Sequence, residues 1–285
     1  MDFNADTATE AVQRSFDNTA DPRLRELLQG LTRHLHDFVR ETRPSVEEWE
    51  QAIGFLTEVG QTCDDTRQEF ILLSDVLGVS MLVETLNEDE GGTEGTVLGP
   101  FHVVASPERE LGESVDLVHD EQDCLVRGRV LDTSGAPVPG AEVDVWQCTE
   151  EGFYDVQQPD VQPLGNGRGL FRTDPAGNFW FRTVVPSHYP IPHDGPVGRL
   201  LSATGRHPYR PAHIHFIVDA AGHRGVTTHS FVSSSPYTDS DAVFAVKSSL
   251  LTDFAETDDP GAAARHGLRN PFRLAEFDVV LDKDG

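Results

Sequence analysis

The stretch RPAHIHF, Arg210 to Phe216, places two histidines one residue apart inside an apolar run. In extended backbone residues i and i+2 point to the same side. The spacing therefore predicts a strand on which His213 and His215 share one face and Ile214 takes the other. Two imidazoles side by side on a sheet face can hold a metal; an isolated His-x-His is more often a wet surface. Outward from this strand the same period-two alternation recurs. CLVRGRVLD (124–132), AEVDVWQC (141–148), GNFWFRTVV (177–185), GVTTHSFV (225–232) and AEFDVVLD (275–282) read as further strands separated by Gly, Pro and Asp. The turn cluster TSGAPVPG (133–140) joins the first two as a hairpin or as a sandwich edge. Repeated short strands of this kind point to a β-sandwich or barrel. SDAVFAVKSSLLTDF (240–254) predicts a surface helix late in the chain.

Upstream the period changes. Asp21-Pro22 is a cap followed by proline at the first helical position, and residues 23–42 then repeat apolar residues at helical spacing. Ser45 and Glu48 form a capping-box pattern opening a helix that is predicted to stop at Gly60. Residues 67–87 supply more helix with a glycine interruption, and EDEGGTEGTVLGP (88–100) breaks it. The expected fold class is α+β: a helical N-terminal domain over 1–95, then an antiparallel β-sandwich catalytic domain over 96–285.

Composition narrows the function. A chain of 285 residues can bury one large core or two modest ones, and no apolar run is long enough to span a membrane. The net charge of −26 excludes nucleic acid as a partner, because phosphate binding needs a concentrated basic surface. Lys247 and Lys283 are the only lysines, so the acidic surface fits either a salty cytoplasm or a coding bias towards arginine. The start of the chain lacks the basic and apolar regions of a secretion signal. Cys63, Cys124 and Cys148 are odd in number and have no CxxC spacing, which suits a reducing cytoplasm. Any metal must then be held by other side chains. Carboxylates are sparse near the histidine pair, Asp219 and Asp194 being nearest in sequence, which weakens a two-histidine, one-carboxylate site. Tyr154 follows a strand, and Tyr189 lies in a proline-stiffened loop of low conformational freedom.

GFYD (152–155), VVPSHYPIP (184–192) and RPAHIHF, in that order behind helices, resemble the intradiol ring-cleaving dioxygenases. TVLGPF (96–101) and SDVLG (74–78) extend the likeness over most of the chain. The resemblance implies a ferric ion, Fe(3+), held by Tyr154, Tyr189, His213 and His215. Phenolate is a hard anionic donor that favours Fe(III), and a trivalent ion deprotonates a phenol outright. The implied substrate is an aromatic diol or triol, opened with O2 to a diacid. Tyr189 then has a second role, leaving the ion as the diol enters and taking a proton. Arg210 is implied to stabilise negative charge developing on the ring.

Within the family, EFILLSDVLG, TVLGPFH, TTHSFV and DSDAVFAVK are most similar to the branch acting on hydroxyquinol, benzene-1,2,4-triol, which yields maleylacetate. Leu98 stands where that branch commonly has an aromatic, and His229 where catechol enzymes carry glutamine. Asp75 is then expected to accept a hydrogen bond from the third hydroxyl. The implied pocket is Leu72, Asp75, Val97, Leu98, Gly99, Pro100, Phe101, Ile191, Pro192, His229 and Val243. The family's helices also imply a homodimer through the N-terminal domain, with a phospholipid between them. Two other classes compete: a catechol or substituted-catechol enzyme, and, outside the family, a zinc hydrolase with His188 or Asp194 as third ligand or a non-catalytic sandwich module.

Overall fold

The computed structural model describes residues 3–65, 67–88, 91–102, 105–119 and 123–284. Two compact units emerge, Met1–Glu58 and Val59–Gly285. Of the segment expected to separate two domains at 95/96, Asp89 and Glu90 lie outside the described residues.

The first unit is built from α1 (Ala8–Ser15), α2 (Pro22–Thr42) and most of α3 (Val46–Thr62). Asp21 caps α2, its carboxylate accepting from the backbone N–H groups of Arg23 and Leu24. Ser45 and Glu48 close the capping box in both directions, at 2.7 and 3.1 Å. The predicted stop at Gly60 is overrun by two residues, since α3 continues to Thr62. Polar contacts pin α1 to α2: Arg40 donates to Thr9 Oγ1 and Ala5 O, and Gln13 donates to Gln29 O. Leu24, Leu27, Leu31, Leu35 and Phe38 of α2 remain exposed, as do Trp49, Ile53 and Leu56 of α3.

In the second unit α4 (Glu69–Val76) and α5 (Val79–Asn87) are separated by Gly78 at φ 71°, the left-handed region that only glycine enters freely. Next come β1 (Cys124–Asp132), β2 (Glu142–Trp146), β3 (Arg168–Arg172), β4 (Asn178–Thr183) and the short β5 (Tyr189–Pro190). Then follow α6 (Pro196–Ala203), β6 (Tyr209–Arg210), β7 (His213–Asp219), β8 (Val226–Val232), β9 (Leu251–Thr252) and β10 (Ala255–Thr257). The order ends with α7 (Pro260–His266), β11 (Phe272–Glu276) and β12 (Val279–Leu281).

One five-stranded sheet runs β10-β11-β1-β12 with β4 also on β1; the other runs β3-β2-β7-β8-β9. Their inner faces meet through aromatic pairs, Phe171–Phe181 at 5.3 Å and Phe179–Phe216 at 6.1 Å, the core of a sandwich. The turn cluster folds back on the end of β1, with Leu131 opposite Pro137, and then carries the chain to the other sheet, so it is a tight turn at the sandwich edge that does not pair β1 with β2. The sheets are mixed where antiparallel pairing alone was expected: β1 runs parallel to β11 and β12, and β8 to β9. The reason lies in chain routing, which brings β11 and β12 back beside β1 from α7 and not through a tight turn.

Between β11 and β12 the carbonyl of Phe277 crosses Gly128, where an added Cβ would stand 1.8 Å from that oxygen. Gly128→Ala is expected to cost at least about 3 kcal/mol, the upper end for overpacking, because backbone itself must move. Urea denaturation checks it.

Residues 240–254 do not form the predicted surface helix. Only Ser248–Leu250 make a single 3-10 turn, and Ala242, Val243 and Ala245 are buried in irregular chain. Asp241 is the cause: its carboxylate accepts the N–H groups of Val243 and Ala245, and Phe244 sits at φ 60°. The side chain offers the backbone an alternative to helical bonds.

Candidate metal centre and substrate cavity

β7 pairs with β2 on one side and β8 on the other, so the strand bearing the histidines is central and buried on both faces. That removes the wet-surface reading of His213 and His215, which are 0 % and 1 % exposed. His213 Nδ1–H donates to Pro211 O at 2.7 Å, which leaves Nε2 with its lone pair free to face inward. Opposite, Tyr154 follows β2 at the start of a short 3-10 turn, and Tyr189 lies on β5, paired with Arg210 on β6.

Four donor atoms close a ring. Tyr154 Oη is 3.1 Å from His215 Nε2, which is 3.1 Å from His213 Nε2. His213 Nε2 is 3.4 Å from Tyr189 Oη, which is 3.3 Å from Tyr154 Oη. Two donors each about 2.0–2.2 Å from one ion, at angles between square and tetrahedral, stand about 2.8–3.6 Å apart. The residues present therefore fit a single metal ion. Burial raises the proton affinity of both phenols, Tyr154 most, and holds the imidazoles of His213, His215 and His229 well below the usual histidine range. Neutral imidazole is the ligating form, and a buried phenol needs a cation to ionise.

The structure places the four expected residues side by side, and the sequence said little of what holds them. Trp146 stacks on His215 at 4.5 Å, and Phe101 stacks on Tyr154 at 4.5 Å. Gly99, at φ 77°, is the close approach to His215: a Cβ there would lie 3.0 Å from Cε1. Next to Tyr154, Asp155 and Arg168 form a fully buried ion pair at 2.7 Å, and Arg168 also donates to Phe101 O at 2.9 Å. One pair thus fixes both the tyrosine's segment and the ring stacked on it. Sequence reading missed both residues, since nothing local links positions 155 and 168. Arg168→Leu is expected to destabilise the fold by about 3–5 kcal/mol, because it leaves Asp155 charged and buried alone. Denaturant midpoints compared with Asp155→Asn would check this.

His229 faces His215 directly across β7–β8, ring centroids 4.2 Å apart. Its Nδ1 contacts Thr96 Oγ1, while no described residue hydrogen-bonds its Nε2. His213, His215 and His229 form a group with donor atoms within 4.8 Å, looser than the tyrosine-containing ring. The candidate zinc ligands lie elsewhere: Asp194 is exposed and paired with Arg67, and His188 packs on Tyr209 and Tyr237.

Arg210 is buried, its guanidinium Nη1 3.4 Å from His213 Nε2. Burial works against its charge, but the Asp241 carboxylate together with Tyr189 and Tyr154 outweighs this and holds its proton affinity above the ordinary arginine value.

Leu72, Asp75, Gly99, Pro100, Phe101 and Pro192 border a cavity of about 530 Å³, which none of the four donor residues lines. Val97, Ile191, His229 and Val243 are buried and do not border it, and Leu98 borders a different cavity. Asp75 lies within α4 near its C-terminal end. Burial raises its carboxyl above the usual aspartate value, and no described residue hydrogen-bonds its Oδ1.

Known proteins resemble this chain over nearly its whole length. A dioxygenase family model matches residues 101–283, and one for the catechol dioxygenase N terminus matches 21–94. The hydroxyquinol 1,2-dioxygenase of Rhizobium sp. (strain MTP-10005) is 51% identical over 98% of this chain and 96% of its own. That of Nocardioides simplex is 48% identical, covering 95% and 93%. The solved structure of hydroxyquinol 1,2-dioxygenase from Pseudomonas putida DLL-E4 superposes with a TM-score of 0.91 at 46% identity, covering 98% and 99%.

Proposed function

Because the chain belongs to the intradiol ring-cleavage dioxygenases, we propose that it opens benzene-1,2,4-triol with O2 between the adjacent hydroxylated carbons, giving maleylacetate. The observation that carries the ring-opening chemistry is the ring of Tyr154, Tyr189, His213 and His215 donor atoms spaced 3.1–3.4 Å apart, and the likeness to hydroxyquinol 1,2-dioxygenases supports the choice of substrate. Two phenolates and two neutral imidazoles suit Fe(III), whose charge the phenolates offset in a dry interior. When bound, the ferric ion withdraws electron density from a chelated diol and so opens a ring carbon to O2.

The chain's own groups do the rest. Tyr189 Oη, once ionised beside the bound ion, would take a proton from an entering diol. Gly99 and Phe101 bring a wall of the cavity against His215 and Tyr154, which would hold the substrate ring near the donors. Arg210 Nη1 offers a fixed positive charge to the anionic ring. Asp75 accepts the hydrogen bond of the third hydroxyl; its unpartnered Oδ1 supports that assignment.

Steady-state turnover of benzene-1,2,4-triol against catechol tests the substrate. We expect kcat/KM to favour the triol by about 10–100-fold, and Asp75→Ala to erase most of that margin through the lost hydrogen bond. A catechol preference in the unmodified enzyme would move the chain to the catechol branch and leave the ion in place. A colourless, iron-replete protein would overturn the metal assignment, because phenolate-to-ferric charge transfer absorbs visible light.

The exposed apolar face of α2, from Leu24 to Phe38, supports a homodimer through the N-terminal helices, with lipid acyl chains as a further guest. Light scattering at several concentrations, and mass spectrometry of an organic extract, test the two. The three cysteines are free, which suits the cytoplasm, and no helix among the described residues is long and apolar enough to cross a membrane.

A further inference from the structure

We propose that Asp241 is the positioning residue for Arg210: its carboxylate locks the guanidinium so that Nη1 alone is left to face the reacting ring. This rests on the reading of Arg210 given above. Arg210 Nε lies 3.2 Å from Asp241 Oδ1, and Nη2 lies 3.4 Å from Oδ2. Both residues are buried, at 2 % and 4 % exposure.

The carboxylate is itself held. The N–H of Val243 reaches Oδ1 at 3.4 Å and that of Ala245 reaches Oδ2 at 3.1 Å. Ala242 N–H donates to Tyr209 O at 3.1 Å, which ties this loop to the strand that carries Arg210. That strand pairs with β5 at Arg210 and Tyr189. Two edges of the guanidinium fork are therefore spoken for, and Nη1 is the edge that stands 3.4 Å from His213 Nε2. Arg210 also meets the Tyr189 side chain, and the Asp241 fork holds the guanidinium at a fixed angle to it. A buried ion pair stabilises little by itself, so its persistence here fits orientation better than stability.

Asp241→Asn keeps one acceptor oxygen, enough for one of the two backbone N–H groups, and loses the charge-assisted fork. Per bound iron, kcat is expected to fall about 10–100-fold, the range for partners that orient a functional group, with KM little changed. In an Arg210→Lys background the same change should cost less than about twofold, because coupled residues are not additive. In the metal-free protein the slowly exchanging Arg210 Nε–H resonance, identified by its loss in Arg210→Lys, is expected to disappear in Asp241→Asn. If Asp241→Asn does not fold, Asp241→Glu carries the test, since moving the charge by one methylene should lower kcat by at least about tenfold. A kcat within about threefold of wild type in the folded variant, or fold effects that multiply in the double variant, overturns the proposal. If Arg210→Lys alone leaves kcat intact, the earlier reading of Arg210 fails instead.

Discussion

Tyr154→Phe is expected to lower kcat by at least about 10³-fold, equal to about 4 kcal/mol of barrier, and to shift or abolish the visible absorption band. The substitution removes one oxygen and little else. The ring stacks on Phe101 at 4.5 Å with an interplanar angle of 24°, and phenylalanine keeps that contact. The Asp155–Arg168 pair, which fixes the segment, is untouched. What is lost is an anionic donor 3.1 Å from His215 Nε2 and 3.3 Å from Tyr189 Oη. The remaining ring then has one phenolate to offset a trivalent charge in a dry interior. Iron content, the visible spectrum and turnover, measured on one preparation, check the prediction. Unchanged colour with full activity would remove Tyr154 from the donor set.

Arg210→Lys is expected to lower kcat by about 10²–10³-fold, the cost of removing one preorganised charge from the site of developing negative charge. Lysine keeps a positive charge that can still meet Asp241, so the buried carboxylate is not left alone. It lacks the planar fork that satisfies Asp241 and presents Nη1 at the same time. The expected signature is a drop in kcat with the visible band retained, since the donor ring is unaltered. Stopped-flow measurement of single turnovers separates this loss from any effect on binding. A loss confined to KM would make Arg210 a binding group only.

The histidine strand was legible because a period of two survives any context: residues one apart must share a face, and β7 obeys. The caps at Asp21 and Ser45 were legible for the same local reason. The donor set was legible through family resemblance, since Tyr154 and Tyr189 lie far from the histidines in sequence and only the fold brings them within 3.4 Å. Asp241 was hidden. The spacing of Ala242, Val243 and Ala245 imitates a helix, while one carboxylate turns the segment into a buried loop that no periodicity reveals. The pairing of β11 and β12 with β1 was equally out of reach, because alternation marks a strand but not its neighbour. The pocket list was the least well resolved. Apolar positions such as Val97, Ile191 and Val243 read alike in sequence whether they line a cavity or fill the core.

The parallel pairing of β1 with β11 and β12 has a consequence for synthesis on the ribosome. Residues 124–132 cannot take both of their sheet neighbours until residues 272–281 have left the exit tunnel, so the tyrosines and histidines are all made before the framework that aligns them is complete. Such long-range closure is slow and leaves apolar edges uncovered in the meantime. Nascent polypeptide in this interval is the form that chaperones would have to guard.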